Sequence, residues 1–158
     1  MSCLARCALF AIVVGALFPW HPGTRVAQQK SVAGSVAEAV FKYDTPGVQL
    51  EGALVERKVY GPPGYGETPA QDLRTTILIL KLRQPITVEP VPPVSQDNPN
   101  GDTFKHVSEV QLFVSQSQIA DARKLVGHTV TATGTLNEAI TASQYTKVWL
   151  WAKMLEPK

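Results

Sequence analysis

The sequence predicts a mainly β protein, a small five-stranded barrel with one short helix. The first observation is a strand–helix–strand unit in residues 107–136, where apolar side chains change from the strand period to the helix period and back. The second is that 12 Pro and 11 Gly separate short apolar runs, as in proteins built from many short strands joined by turns. At 158 residues the chain has the length of one domain.

The strand–helix–strand unit is defined by a few positions. Val110, Leu112 and Val114 alternate with other side chains, which indicates a strand with one buried face. Ser115 and Gln118 have the spacing of a helix capping box. The helix then has one apolar stripe, formed by Ile119, Ala122, Leu125 and Val126. Gly127 is suited to end it, and residues 129–136 alternate again, with a row of threonines on one face.

Three further strands complete the barrel. Residues 48–60 form the first, in which Gly52 marks a bend, and residues 75–83 form the second, which Pro85 ends. Residues 145–155 form the last strand, whose predicted inner face is Val148, Leu150, Ala152 and Met154. Counted along the chain, the helix lies between strands 3 and 4, which is the order of the OB-fold. An SH3-like barrel of the same size is the alternative.

The N-terminal segment predicts export. Residues 7–18 are an apolar run between Arg6 and Pro19, as in a secretory signal peptide, and a spanning helix would need about 20 residues. The predicted organisation is a signal peptide over residues 1–27, or up to 33, a linker or short helix over 28–47, and the barrel over 48–156. A secreted or periplasmic protein with no membrane span after cleavage is expected. An uncleaved N-terminal anchor is the alternative.

Charge and cysteine content argue against two kinds of chemistry. Cleavage after Ala27 removes Arg6 and Arg25 and leaves 13 basic and 13 acidic residues, so the mature chain has no net charge. Nucleic acid is therefore not an expected partner, because its binding needs a basic surface. Both cysteines, Cys3 and Cys7, lie in the signal region, so no disulfide or thiol chemistry is expected.

Several stretches together resemble a known family. They are Leu50-Glu51-Gly52, Gly61-Pro62-Pro63 with Tyr65, Ile79 to Leu82 with Pro85-Ile86, Val110-Gln111-Leu112, and Leu125-Val126-Gly127 with Val130 to Leu136. Over residues 48–153 the chain resembles an exported bacterial family, the domain of unknown function number 4431. The resemblance implies a small secreted β-barrel and no assigned activity. Family members carry histidines before the last strand, whereas this chain has Ala142-Ser143-Gln144-Tyr145, so a metal or acid–base role does not carry over to that loop.

The candidate binding residues lie mainly on the last strand. Its predicted outer row is Lys147, Trp149, Trp151 and Lys153. Exposed tryptophans flanked by cations would form a platform suited to a sugar ring, a base or a peptide. The alternative is that a loop or the N-terminal segment covers the tryptophans as a second small core. Tyr65, in the turn-rich loop 61–74, either presents a further ring to a ligand or only shapes the connection.

Two classes of function follow. The first is an exported binding module that contacts an oligosaccharide, a peptide or an envelope protein through a barrel face or through loops 61–74 and 137–144. The second is an enzyme of the cell envelope whose site is assembled from distant residues, with Glu51 and Glu109 as the carboxylate pair to examine. The sequence holds no zinc, nucleotide or nucleophile motif, and His106 and His128 are isolated, so neither a metal nor a cofactor is expected.

Overall fold

The computed structural model describes residues 37–93 and 99–158, and the predicted signal peptide lies outside them. The strands are β1 (Ala39–Lys42), β2 (Val48–Tyr60), β3 (Arg74–Glu89), β4 (Phe104–Phe113), β5 (Thr129–Glu138) and β6 (Val148–Pro157). A 3₁₀ turn at Gln116–Gln118 leads into the single helix α1 (Ile119–Lys124). Within the described ranges, no helix has the length and apolar character needed to cross a membrane.

Five strands close into a barrel. Strand β2 pairs antiparallel with β3 on one side and with β5 on the other. Strand β3 continues antiparallel to β4, and β5 antiparallel to β6. A parallel pairing between β4 and β6 closes the circle. This confirms the predicted mainly β barrel with one short helix.

The prediction that the helix lies between strands 3 and 4 is wrong, because the structure places it between the fourth and fifth strands. The reason is β1, a short strand in the segment for which the sequence predicted a linker or a short helix. It pairs parallel with the far end of β3, and Ala39 lies opposite Ile86. This pairing joins residues that are distant in sequence, and the local helical spacing of apolar residues could not reveal it.

The barrel interior is filled by alternate side chains of all five closing strands. Leu50 and Leu54 of β2, Leu80 of β3, Val110 of β4, Ala132 of β5 and Leu150 of β6 are buried in one continuous core. Helix α1 contributes Ala122, with Leu125 and Val126 packed beside it. The predicted inward-facing residues of β2, β3, β4 and β5 are therefore confirmed as part of the core.

Both predicted signals at the ends of the helical segment are present. The side-chain oxygen Oε1 of Gln118 accepts hydrogen bonds from the backbone N–H of Ser115 at 3.3 Å and from its hydroxyl at 2.7 Å. The Gln118 amide group then donates to the carbonyl of Lys153 at 2.7 Å, which ties this turn to β6. Gly127 has a φ of 88°, the left-handed conformation that favours glycine.

The end of β6 departs from the predicted inner face. The register between β5 and β6 shifts, so that Gly134 pairs with Ala152 and Thr133 with Met154. Lys153 is the extra residue of this bulge, and the alternation of faces reverses after it. Met154, predicted to lie inside, is therefore 43% exposed, while Leu155 packs against the core.

The close approach of β3 to Gly52 yields a stability prediction. A Cβ added at Gly52 would lie 2.2 Å from the carbonyl oxygen of Lys81, on the neighbouring strand. Because backbone must move to relieve that contact, we expect Gly52→Ala to lower the free energy of unfolding by about 2 kcal/mol, measured by urea denaturation. Gly61→Ala is the matched control, since its Cβ would meet its nearest heavy atoms at 3.6 Å. Equal stabilities of the two variants would contradict this account.

Candidate binding face on the last strand

Trp149 and Trp151 lie on the outer face of β6, as the sequence predicted. Trp151 is 46% exposed, an unusually high value for so large an apolar side chain. Trp149 is half-buried. The parallel pairing places Phe113 of β4 opposite Trp151 in register. Phe113, Trp149 and Trp151 together are called the aromatic face below.

Two contacts hold the Trp149 ring. Its indole N–H donates a hydrogen bond of 2.9 Å to the carbonyl of Glu138 on β5. The ring meets Phe113 edge to face, with centroids 5.0 Å apart and an interplanar angle of 73°, the arrangement that aromatic quadrupoles favour. Trp149 is thus a fixed support, and Trp151 is the ring that remains open to solvent.

Polar and cationic groups border the aromatic face. Across the sheet, β5 places Thr135 opposite Trp151 and Asn137 opposite Trp149. Lys147 and Lys153 are both exposed. The Lys147 ammonium lies 5.5 Å from the centroid of the Phe104 ring, within reach of a cation–π interaction. Four of the predicted binding residues therefore lie close together in the chain. Three of them are on β6, and Lys147 directly precedes it.

Tyr65, the fifth predicted binding residue, belongs to another part of the surface. It lies in the loop between β2 and β3, has a φ of 50°, and is 38% exposed. It interacts electrostatically with Tyr145, whose hydroxyl donates a hydrogen bond to the carbonyl of Tyr60. Burial raises the pKa of the Tyr145 hydroxyl, and Tyr65 and Asp72 raise it further. The structure thus groups Tyr65 with the two connecting loops.

Asp72 organises the loop that carries Tyr65. Its carboxylate accepts hydrogen bonds from the backbone N–H groups of Gly64 and Gly66, at 2.7 and 2.6 Å, and from the hydroxyl of Thr68 at 3.1 Å. Partial burial acts to raise the pKa of Asp72, but these donors outweigh it and the pKa lies below its ordinary value. This supports the reading of the loop as a shaped connection.

Gln111 is the residue that sequence reasoning missed. It lies on the outer side of β4, yet it is only 2% exposed. Its amide donates to the carbonyl of Ser143 at 3.2 Å and accepts from the N–H of Tyr145 at 2.7 Å. Its backbone N–H donates to the Thr146 hydroxyl at 2.9 Å. The loop between β5 and β6 therefore lies over this part of the barrel, and a single polar residue in an alternating strand gave no signal of it.

The carboxylates and histidines do not converge on one site. Glu109 contacts Arg57 at 2.5 Å and Lys81 at 4.0 Å. Glu51 is bound by Lys158 and by Arg83, and both lower its pKa, Lys158 the more. His106 contacts Glu38 at 3.3 Å. Across residues 37–93 and 99–158, no three His, Cys, Asp or Glu side chains are grouped so that they could hold a metal ion.

A polar cluster surrounds the turn between β1 and β2. The Asn100 side chain donates to both carboxylate oxygens of Asp44 at 2.9 Å and accepts from the N–H of Glu138 at 2.7 Å. Tyr43 is fully buried beside it, and its hydroxyl has no hydrogen-bond partner among the described residues. Burial, and then the charges of Glu138 and Asp102, raise the pKa of Tyr43. These contacts hold the turn between β1 and β2.

Comparison with known proteins supports the family resemblance over part of the chain. Residues 109–150 match the model of a family described as Domain of unknown function (DUF4431). This segment runs from the middle of β4 through α1 and β5 to the start of β6. It contains the parallel closure except for Trp151, which lies just beyond it. The resemblance is confirmed there. No curated protein and no solved structure matches the chain.

The different exposures of the two tryptophans predict different fluorescence. In a Trp20→Phe background, Trp149→Phe should leave a red-shifted emission that acrylamide quenches strongly, because Trp151 remains. Trp151→Phe should leave a bluer and less quenched emission from Trp149. The outcome against this is a blue, weakly quenched signal from both variants, which would make both rings part of a closed core.

The hydrogen bonds of Asp72 predict a pH dependence of the loop. Because the folded-state pKa is lowered, the ionised carboxylate stabilises the loop above the unfolded value of about 3.9, and this stabilisation is lost as the pH falls through the lower folded-state pKa. At pH 7, Asp72→Asn should accelerate hydrogen exchange of the Gly64 and Gly66 amides several-fold.

Asp121→Asn is the matched control, since Asp121 pairs with Lys124 at 2.7 Å on the exposed helix. It should leave the exchange of both loop amides unchanged. If Asp72→Asn also leaves it unchanged, the carboxylate does not organise the loop.

Proposed function

We propose that this protein is an exported binding module, and that it binds an oligosaccharide on the aromatic face of β6. We also infer that the barrel is an OB-fold, since β2, β3, β4, β6 and β5 follow one another around it and β4 and β6 pair in parallel. Export rests on the apolar run and the preceding arginine near the N-terminus.

The observation that carries the proposal is the exposed ring of Trp151 between polar neighbours. A large apolar side chain that remains open to water marks a contact surface when other apolar groups adjoin it. Here Phe113 and Trp149 continue the apolar area, and Met154 is exposed close by in sequence. The fixed ring of Trp149 also reduces the entropy lost when a ligand binds, because fewer rotatable groups need ordering.

The polar border favours a saccharide as the ligand. A sugar has apolar C–H faces that pack on an aromatic ring, and hydroxyl groups at its edges that need hydrogen-bond partners. The neighbouring β5 side chains Thr135 and Asn137 supply a hydroxyl and an amide next to the rings. Lys147 and Lys153 add donors at the two ends of the row.

Calorimetric titration with a panel of oligosaccharides tests the proposal. We expect Trp151→Ala to weaken binding at least about tenfold, the size of loss found when an aromatic contact at the centre of an interface is removed. Ile140→Ala is the matched control, because Ile140 is also a large exposed apolar residue and lies in the loop before β6. It should leave the affinity unchanged.

Two results would refute the oligosaccharide proposal. One is equal affinity of the Trp151→Ala and Ile140→Ala variants, since the ligand would then bind elsewhere. The other is the absence of binding to any member of the panel while extended peptides bind to the same face.

A further inference from the structure

A cleft beside the start of β6 contains Lys105 and backbone groups that the aromatic face does not use. It lies between residues 105–109 of β4 and residues 145–147, which lead into β6, and has a volume of about 290 Å³. Lys147 borders both this cleft and the first residues of β6. The name β4 cleft is used for it below.

The pairing of the strands leaves backbone groups open in the β4 cleft. The N–H of Gln111 points away from β3, because it donates to the Thr146 hydroxyl on the opposite side. Glu109 lies two residues earlier in the same unbroken register with β3, so its N–H and C=O point to that side too. Since the pairing of β6 with β4 begins only at Gln111, no strand of the described part of the chain covers Glu109 there.

The charges around the β4 cleft are unbalanced. The carboxylate that lines it, Glu109, already pairs with Arg57 at 2.5 Å. Glu38 does not line the cleft and contacts the His106 side chain at 3.3 Å. Lys105 and Lys147 flank the cleft, and neither forms an ion pair with any described residue. Two ammonium groups, together with the N–H of Glu109 that faces away from β3, are donors suited to an oxyanion.

We propose that the β4 cleft binds an acidic group, a carboxylate or a sulfate ester, on the oligosaccharide that occupies the aromatic face. This inference rests on the proposed function. Lys147 precedes Trp149 by two residues, about 6.6 Å along an extended strand. One ligand can therefore stack on the rings and place a charged substituent between Lys105 and Lys147, so the module selects acidic over neutral glycans.

The test compares acidic oligosaccharides with neutral counterparts of equal length. The probes are oligouronates with their carboxyl-reduced forms, and sulfated oligosaccharides with their desulfated forms, titrated into the full chain by calorimetry. We expect one acidic class to bind more tightly than its neutral counterpart and to weaken as salt is raised. Whichever class shows the preference identifies the acidic group.

Variants locate the preference in the cleft. Lys105→Gln and Lys147→Gln should each reduce affinity for the acidic probe about tenfold, as expected for the loss of a charge-assisted contact. Lys105→Gln should leave the neutral probe unaffected. Lys147→Gln also removes a donor at the end of the aromatic row, so it should weaken the neutral probe as well, but less than the acidic one. Lys58→Gln is the matched control, because Lys58 is exposed on β2 and forms no ion pair with the described residues. Retained binding of the neutral probe also shows that each variant is folded.

The outcomes separate this inference from the proposed function. If acidic and neutral probes bind equally, or if Lys58→Gln weakens binding as much as Lys105→Gln, the acidic site is refuted and the aromatic face stands. If the preference depends on Lys105 and Lys147 but Trp151→Ala has no effect, the acidic site stands and the aromatic face is refuted. If no probe binds, both are refuted.

Discussion

The parallel pairing of Gln111 to Phe113 with Trp149 to Trp151 is the contact on which this structure depends, because it closes the barrel. The other four strand pairings of the barrel are antiparallel. Without the parallel pairing, these five strands would form an open sheet. Both cysteines lie in the first seven residues, so no disulfide takes its place in the barrel. Closure therefore rests on a short ladder and on the core beneath it, where Leu112 and Leu150 pair directly.

This short ladder also determines which surfaces remain open. It brings Phe113 against Trp149 and so creates the aromatic face. Because it begins only at Gln111, the preceding part of β4 has a neighbouring strand on one side alone within residues 37–93 and 99–158, and the β4 cleft results. The loop before β6 must then pass over the outer side of the barrel, where Gln111 receives it. The contact between Tyr145 and Tyr60 joins that loop to the connection after β2.

The sequence predicted the parts of the structure that depend on local periodicity. The 13 residues of β2 agree with the predicted strand, and the cap at Ser115 and the left-handed Gly127 occur where they were expected. The sequence did not predict the features that depend on contacts between residues distant along the chain. Strand β1 exists because β3 continues past its irregularity near Pro85 and offers another edge. The burial of Gln111 likewise depends on a loop more than thirty residues away.

The candidate binding residues were predictable to the same extent. Tryptophans two residues apart on a strand must share a face, so the row on β6 followed from the strand itself. Their exposure did not follow, because a covering loop is a tertiary feature, and a loop does cover the neighbouring outer residue Gln111. The separation of Tyr65 from that row depends on the path of the loop that Asp72 organises, which adjacent glycines and prolines leave undetermined in sequence.

The bulge at Lys153 bears on whether the aromatic face is made for binding. Without it, the alternation of β6 would place Met154 in the barrel and Leu155 outside. With it, Leu155 packs against the core and Met154 faces solvent, so the interior receives an apolar side chain in either case. What changes is the surface, which gains a flexible thioether three residues from Trp151. Bulges are common where a strand redirects a side chain towards a ligand, and exposure of Met154 brings the core no compensating contact. Barrel stability therefore does not account for the exposed Met154, whereas the binding proposed for the aromatic face would.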